Sequence, residues 1–280
     1  SNATVAATTN ANTYASGIVA SGATGTGRFN TTNYNITYAA GTLTVNKATL
    51  TVTADAQSRV YGDANPSFTQ TISGFVNGQI LATSGVTGSA YGSTTATASS
   101  SIGTYTITAS ASGLTSNNYQ FTTTNGTLTV NPRPITVTAD AKTKVYGSAN
   151  PTLTYTVAAD DVGTSRGLYN NDSLSGALSV NAGTATPVGT VEIVQNTVSN
   201  TNYAITYVAR NLSITPATLN VTGYKTYDGS IVIAGTDLTV TGVNGERFTA
   251  GGNANLISKN VQVNQNLADV NGITLTPLGG

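Results

Sequence analysis

The sequence predicts an all-β chain of small domains in tandem, and three observations predict it. Short runs alternate apolar and polar residues with the two-residue period of a half-buried strand, as in Leu50-Thr51-Val52-Thr53, Tyr105-Thr106-Ile107-Thr108 and Ile135-Thr136-Val137-Thr138. Threonine fills 53 of the 280 positions; its branched Cβ and uncharged hydroxyl suit the wet face of a pleated sheet. The chain also repeats itself at an offset of 85 residues, too long for one coil of a solenoid and long enough for a small domain with its own core.

The repeat begins with a strand. Asn46-Lys47-Ala48-Thr49-Leu50-Thr51-Val52-Thr53-Ala54-Asp55-Ala56 is answered by Asn131-Pro132-Arg133-Pro134-Ile135-Thr136-Val137-Thr138-Ala139-Asp140-Ala141. Three residues later both copies enter Val-Tyr-Gly-x-Ala-Asn-Pro, at Val60 to Pro66 and Val145 to Pro151. Within the first copy the spacing then predicts a strand over Ser67 to Phe75 and a turn at Asn77-Gly78. One helical turn is expected at Gln79 to Thr83, with Leu174 near the matching place in the next copy. Three further strands close the unit. An Asn-Tyr pair recurs at Asn33-Tyr34, Asn118-Tyr119 and Asn202-Tyr203, each expected to open a hairpin that ends in a strand over 41–45, 126–130 or 211–214.

These landmarks divide the chain. Residues 1–3 read as a tag remnant, and 4–46 as the C-terminal half of a unit. Residues 48–131 and 133–215 are complete units, and 217–280 a truncated one. The fold expected for each unit is β-grasp-like or sandwich-like, with at most one short helix. Linkers of two or three residues, mostly with proline, leave little room to swing, so the units are expected to line up as an elongated rod. Sheet edges at the two ends raise strand complementation between chains, against an N-terminal fragment that folds onto its own neighbour.

Composition excludes more chemistry than it suggests. The chain has no His and no Cys, which removes Ser-His-Asp and Cys-His arrangements, disulfides, and zinc, haem or iron–sulfur sites of the usual kind. Charged residues are 8% of the chain, 11 basic against 11 acidic, and scattered. Lys142 with Lys144 is no basic footprint for nucleic acid, and Ile231-Val232-Ile233-Ala234 falls far short of a membrane span. No catalytic, cofactor-binding or metal-ligating residue is assigned, and no cofactor is expected.

Val60-Tyr61-Gly62-Asp63-Ala64-Asn65-Pro66 and Val145-Tyr146-Gly147-Ser148-Ala149-Asn150-Pro151, with the Asn-Tyr pairs and the Gly-Thr-Leu-Thr-Val endings, resemble the MBG repeat domains of large bacterial surface proteins, of the type named for its Tyr-Gly-x motif. Lys225-Thr226-Tyr227-Asp228-Gly229-Ser230 departs from that pattern and looks like the related YDG domain. The resemblance implies a secreted or cell-surface adhesin context, neighbouring repeat units as partners and no catalytic residues. A structural stalk that projects a distal binding region is the reading favoured, not an enzyme. The alternative is a module that holds glycans or host protein with exposed Tyr, Asn and Thr.

Several residues invite a sharper reading and have a plainer one. Tyr61, Tyr146 and Tyr227 could contact a ligand, but recurrence beside a turn glycine favours rings packed over their own cores. Asp55 and Asp140 end their strands where a Ca²⁺ could sit, yet Ser148 replaces the counterpart of Asp63, and the plain role is to satisfy turn amides. Asp160-Asp161 and Asn170-Asn171-Asp172 read as a solvated loop, since adjacent carboxylates do not face one another across a cleft. A Lys–Asn crosslink needs a buried lysine, and Lys47 and Lys142 sit near linkers and turns.

Overall fold

A computed structural model describes residues 6–161 and 166–278. Strands dominate the described residues, and helix is confined to single 3-10 turns at Thr31–Asn33, Leu81–Thr83 and Gly235–Asp237. The second of these is the helical turn expected at Gln79 to Thr83. The region of Leu174 has a hydrogen-bonded turn at Tyr169 to Asp172 instead, with Asn170 and Asn171 in the left-handed region. The chain divides into two compact units, Ser1–Arg133 with Thr201–Tyr203, and Pro134–Asn200 with Ala204–Gly280. The tag remnant at 1–3 lies outside the described residues.

In the first unit the repeat is a sandwich of two sheets. One sheet has the order Tyr119–Thr124, Ala48–Ala54, Gln70–Ser73; the other runs Gln57–Val60, Gly126–Asn131, Gly103–Ser110, Tyr91–Ser93. Two chain segments cross from one sheet to the other, Ala48–Ala54 into Gln57–Val60 and Tyr119–Thr124 into Gly126–Asn131. They lie side by side, so their strands pair in parallel, Phe121 opposite Leu50 and Leu128 opposite Gln57. The hairpin expected after Asn118-Tyr119 therefore does not form. The chain changes sheets at Asn125-Gly126, where a Cβ on Gly126 would stand 2.4 Å from the Ala54 carbonyl oxygen. Only glycine admits that approach.

The alternation read from the sequence fills the space between the sheets. Leu50, Val52, Ala54, Ile107, Leu128 and Val130 are buried, while Thr51, Thr53 and Thr129 between them are not. Each large side chain taken fully out of water contributes about 1.5–3 kcal/mol. The N-terminal segment forms its own two-stranded sheet, Asn12–Ile18 against Gly41–Val45. It is tied to the repeat by Asn77 Nδ2, which donates to the Ala7 carbonyl (2.8 Å), and by Asn118, treated below. The fragment thus folds onto its neighbour.

The second unit holds the second repeat and the C-terminal segment. The repeat again has two sheets, ordered Tyr155–Val157, Arg133–Ala139, Tyr203–Val208 and Lys142–Val145, Arg210–Thr215, Gly189–Val194, Ser179–Val180. Ala139, Leu178, Ile193, Val198, Leu212 and Ile214 make its core. The C-terminal sheet is antiparallel around the long strand Arg247–Leu256, which takes Leu238–Thr241, Val232–Ala234, Leu267–Asp269 and Ile273–Leu278 as partners. Its small core is Ile233, Leu238, Val240, Ala250 and Ala254.

Candidate interaction site at the Tyr-Gly loops

The recurring motif builds the same loop twice. After strand Gln57–Val60, the Tyr61 amide donates to the Asn131 carbonyl (2.9 Å), Gly62 to Ala98 (3.1 Å) and Asp63 to Val60 (3.1 Å). In the second repeat the Tyr146 amide donates to Thr215 (2.9 Å), Gly147 to Thr184 (3.1 Å) and Ser148 to Val145 (3.0 Å). Gly62 and Gly147 stand at φ 87° and 88°, the left-handed region that this turn requires and that other residues enter at a cost.

A buried cation two residues before each tyrosine locks the loop, and sequence reasoning missed it. Arg59 is 7% exposed; its Nε donates to Asn65 Oδ1 (2.8 Å), and its other nitrogens reach the Val60, Thr97 and Ala98 carbonyls. Lys144, 6% exposed, donates from Nζ to Asn150 Oδ1 (2.8 Å) and to the Ser148 (3.2 Å) and Gly183 (2.6 Å) carbonyls. The two asparagines complete the knot by donating to Ala96 (2.7 Å) and Ala182 (2.6 Å). The signal lies in the sequence, since both cations fall at the 85-residue offset. The oxygens that Lys144 meets are those of Asn150 and two backbone carbonyls, and among the described residues no carboxylate joins them to promote a Lys–Asn crosslink. Lys47 and Lys142 donate to Ser116 O and Thr154 Oγ1 (2.7 Å each), away from any such pairing.

The tyrosines share a backbone setting and differ in surroundings. Tyr61 is 5% exposed, and its ring meets that of Tyr203 edge to face at 5.6 Å and 79°. Arg133, itself buried, donates from Nη1 to the Tyr61 carbonyl (3.3 Å) and approaches Asp63 Oδ1 (3.4 Å). Tyr146 is half-buried, and its hydroxyl donates to Glu246 Oε1 (2.6 Å). That hydrogen bond, with one from the Asn244 amide to Oε2 (2.9 Å), holds the Glu246 carboxyl below its usual range. Beside Tyr146 lies a cavity of about 790 Å³, lined by Val188, Ala217, Leu219, Val243 and Phe248 among others. Tyr227 breaks the pattern expected of it: it is 63% exposed and packs over no core, because the loop that follows Lys225 closes on Asp228 (2.8 Å) instead.

The asparagine of the Asn-Tyr pair is a second recurring clasp. Asn118 accepts the Ala11 amide on Oδ1 (2.9 Å) and the Ala48 amide on its carbonyl (3.0 Å). Asn202 accepts the Ile102 amide on Oδ1 (3.1 Å) and the Arg133 amide on its carbonyl (2.9 Å).

The strand-end carboxylates serve structure in a way slightly different from that expected. Asp55 accepts the Thr71 hydroxyl across the sheet (2.8 Å), and hydrogen bonds from Thr69 and Thr71 hold it below its ordinary value. Asp140 likewise accepts the Thr154 hydroxyl (2.5 Å). Asp160 pairs with Arg166 (3.4 Å) in the exposed loop region. Among the described residues no group of three metal-ligating side chains converges, and no helix is long and apolar enough to cross a membrane.

Comparison with protein families places these loops. The model of the MBG domain, YGX type, matches residues 50–129 and again residues 135–213. No curated protein matches the chain.

Proposed function

Because the chain belongs to the family of MBG domains of the YGX type, we propose that its work is mechanical: it is a spacer segment of a bacterial surface protein, holding a distal binding region away from the cell. The observation that carries this reading is the tandem match, with only residues 130–134 between one domain and the next. Pro132 and Pro134 hold that joint extended, and a joint so short restricts reorientation. In this reading the units are 4–46, 48–131, 133–215 and 217–280, the last a YDG-like unit, set in an elongated rod on a secreted or cell-surface adhesin of the kind that supports adhesion and biofilm. Small-angle scattering on the 280-residue chain tests it. The expected distance distribution is that of a rod; a compact globule overturns the proposal.

A glycan-binding role has one specific observation in its favour. In the C-terminal segment a polar cavity of about 350 Å³ is flanked by Tyr224 and Tyr227, 89% and 63% exposed, and lined by Lys259, Asn260 and Gln262. Gln262 Oε1 is buried without a hydrogen-bond partner. Exposed aromatic faces beside amide groups are what a sugar ring needs. A glycan array probed with the chain and with a Tyr224→Ala, Tyr227→Ala variant decides it: binding lost in the variant supports the role, and no binding by the parent removes it.

A further inference from the structure

One strand of the first repeat stands at the edge of its sheet without a charge to guard it. In the order Tyr119–Thr124, Ala48–Ala54, Gln70–Ser73 the first strand is bordered on one side only among the described residues. The parallel ladder fixes which of its backbone groups are engaged. The Ala48 amide donates to the Asn118 carbonyl (3.0 Å), and with Tyr119 opposite Ala48 the alternate residues Gln120, Thr122 and Thr124 continue that ladder. The amides and carbonyls of Tyr119, Phe121 and Thr123 therefore point away from the sheet. The Tyr119 amide is taken by Ser116 Oγ (3.2 Å), which leaves Phe121 and Thr123 to present theirs outward. Proteins usually protect such a row with a lysine, a proline or a bulge. Here Thr122, Thr123 and Thr124 are exposed, and no Asp, Glu, Lys or Arg occurs anywhere between Asp63 and Arg133. The matching strand of the second repeat, Tyr203–Val208, has Arg210 two residues beyond its end.

We propose that this edge is a self-association surface, and that its occupant is the same strand of a second copy of this chain, antiparallel about a two-fold axis at Thr122. The strand is complementary to itself in that register. Phe121 of each copy meets Thr123 of the other as a hydrogen-bonded pair, so both outward residues exchange their amide and carbonyl bonds. Centring on Phe121 instead would oppose Thr123 to Tyr119, whose amide is already engaged. Centring on Thr123 would oppose Phe121 to Asn125, where the chain leaves the sheet. The side chains agree with the backbone. On the outer face Thr122 meets its own copy and Gln120 meets Thr124, all hydroxyl or amide groups. On the inner face the half-buried Phe121 ring lies beside the exposed Thr123, an aromatic and β-branched pair. No charge is set opposite a like charge. A contact of one strand pair is small, and it gains weight where many copies stand side by side.

Such a contact is isologous and closes at a dimer, since each copy uses the same edge once. It goes beyond the spacer reading, because a spacer needs no self-association, and its failure would leave that reading untouched. Sedimentation velocity over a concentration series tests it on the whole chain. The parent is expected to pass from monomer to dimer with rising concentration and to go no further. Thr123→Pro removes an outward N–H and puts a ring in the partner's place, at a position where an edge strand tolerates proline. That variant is expected to stay monomeric and to keep the parent's circular dichroism. The register has its own readout, because the chain has no cysteine. Across the axis Thr122 and its copy form a non-hydrogen-bonded pair with Cα atoms about 4.5 Å apart, within the roughly 4.4–6.8 Å that a disulfide spans. Thr122→Cys is therefore expected to crosslink into a dimer under mild oxidation. Gln120→Cys, on the same face but opposite Thr124 instead of itself, is expected to stay uncrosslinked. A parent that is monomeric throughout, its edge left to a strand of some other protein, overturns the proposal. So does growth past the dimer, association that survives Thr123→Pro, or equal crosslinking at both positions.

Discussion

The loop at Tyr61 and the loop at Tyr146 have the same hydrogen bonds, the same left-handed glycine and the same buried cation, yet one ring is sealed and the other borders a cavity. The difference separates two layers of information. The short motif specifies the turn and its anchor, because Arg59 or Lys144, the glycine and the Asn-Pro asparagine are all within seven residues of one another. What covers the ring comes from residues 72 to 142 positions away, Tyr203 and Arg133 in one case and Glu246 and Val243 in the other. A family motif can therefore recur faithfully while the surface it presents changes.

The anchoring cations are where the two loops should behave most alike, and where the largest effect is expected. Removing a buried cation strands several carbonyl and amide oxygens that water does not easily reach. Arg59→Ala and Lys144→Ala should each destabilise their own repeat by about 3 kcal/mol. Urea midpoints, with amide exchange to assign the transition to one repeat, measure this. Lys144→Arg should retain most of the stability, since an arginine serves the same asparagine contact at position 59. Equal, small losses in both alanine variants would mean that the motif's turn holds without its anchor.

The glycines break the symmetry. At both positions an alanine must adopt the left-handed region, at a cost of about 1–2 kcal/mol. At Gly147 the new Cβ also meets Val243 Cγ2 at 2.2 Å, so Gly147→Ala is expected to cost more than that backbone strain alone. Adding Val243→Ala should return the Gly147→Ala variant to about the cost of the strain. This double-mutant comparison isolates the contact from the backbone strain. If the second substitution restores nothing, the strain alone accounts for the loss.

How far the sequence could be read follows the same division. Leu50-Thr51-Val52 and Ile135-Thr136-Val137 announce strands because the two-residue period is a local property, and the Tyr-Gly turn is legible because only glycine takes its φ comfortably. Parallel pairing was not legible. Nothing near Tyr119 signals that its strand will run beside Ala48–Ala54 instead of folding back on Gly126–Asn131, since that depends on Gly126 passing close to Ala54. Burial of Arg59 and Lys144 is not legible either. Burial of a cation depends on carbonyls from Thr97, Ala98 and Gly183, some 40 residues away. Tyr227 was read by analogy with Tyr61 and Tyr146, but Lys225 there pairs with Asp228 and its ring is left outside.

The smallest expected effect is the one that only the second loop can show. Glu246 accepts hydrogen bonds from the Tyr146 hydroxyl and the Asn244 amide, and both favour the ionised carboxylate, so its pKa in the folded chain lies below the ordinary glutamate value of about 4.3. A depressed carboxylate contributes stability that is fully present above the unfolded-state value and is lost as pH falls through the folded-state value. The window therefore lies on the acid side of about pH 4.3, and nothing changes near neutrality. Tyr146→Phe removes the largest of the causes that lower it. In a carbon-13 titration of the side-chain carboxyls, the Glu246 midpoint should move upward towards its ordinary value, and the stability difference between parent and variant should shrink as pH falls through this window. Glu246→Gln keeps an acceptor for the tyrosine and should abolish the pH dependence of that difference. A Glu246 midpoint that does not move in Tyr146→Phe would show that the Asn244 amide alone holds the carboxylate, and that the hydroxyl of the second loop is as passive towards its cover as the ring of Tyr61.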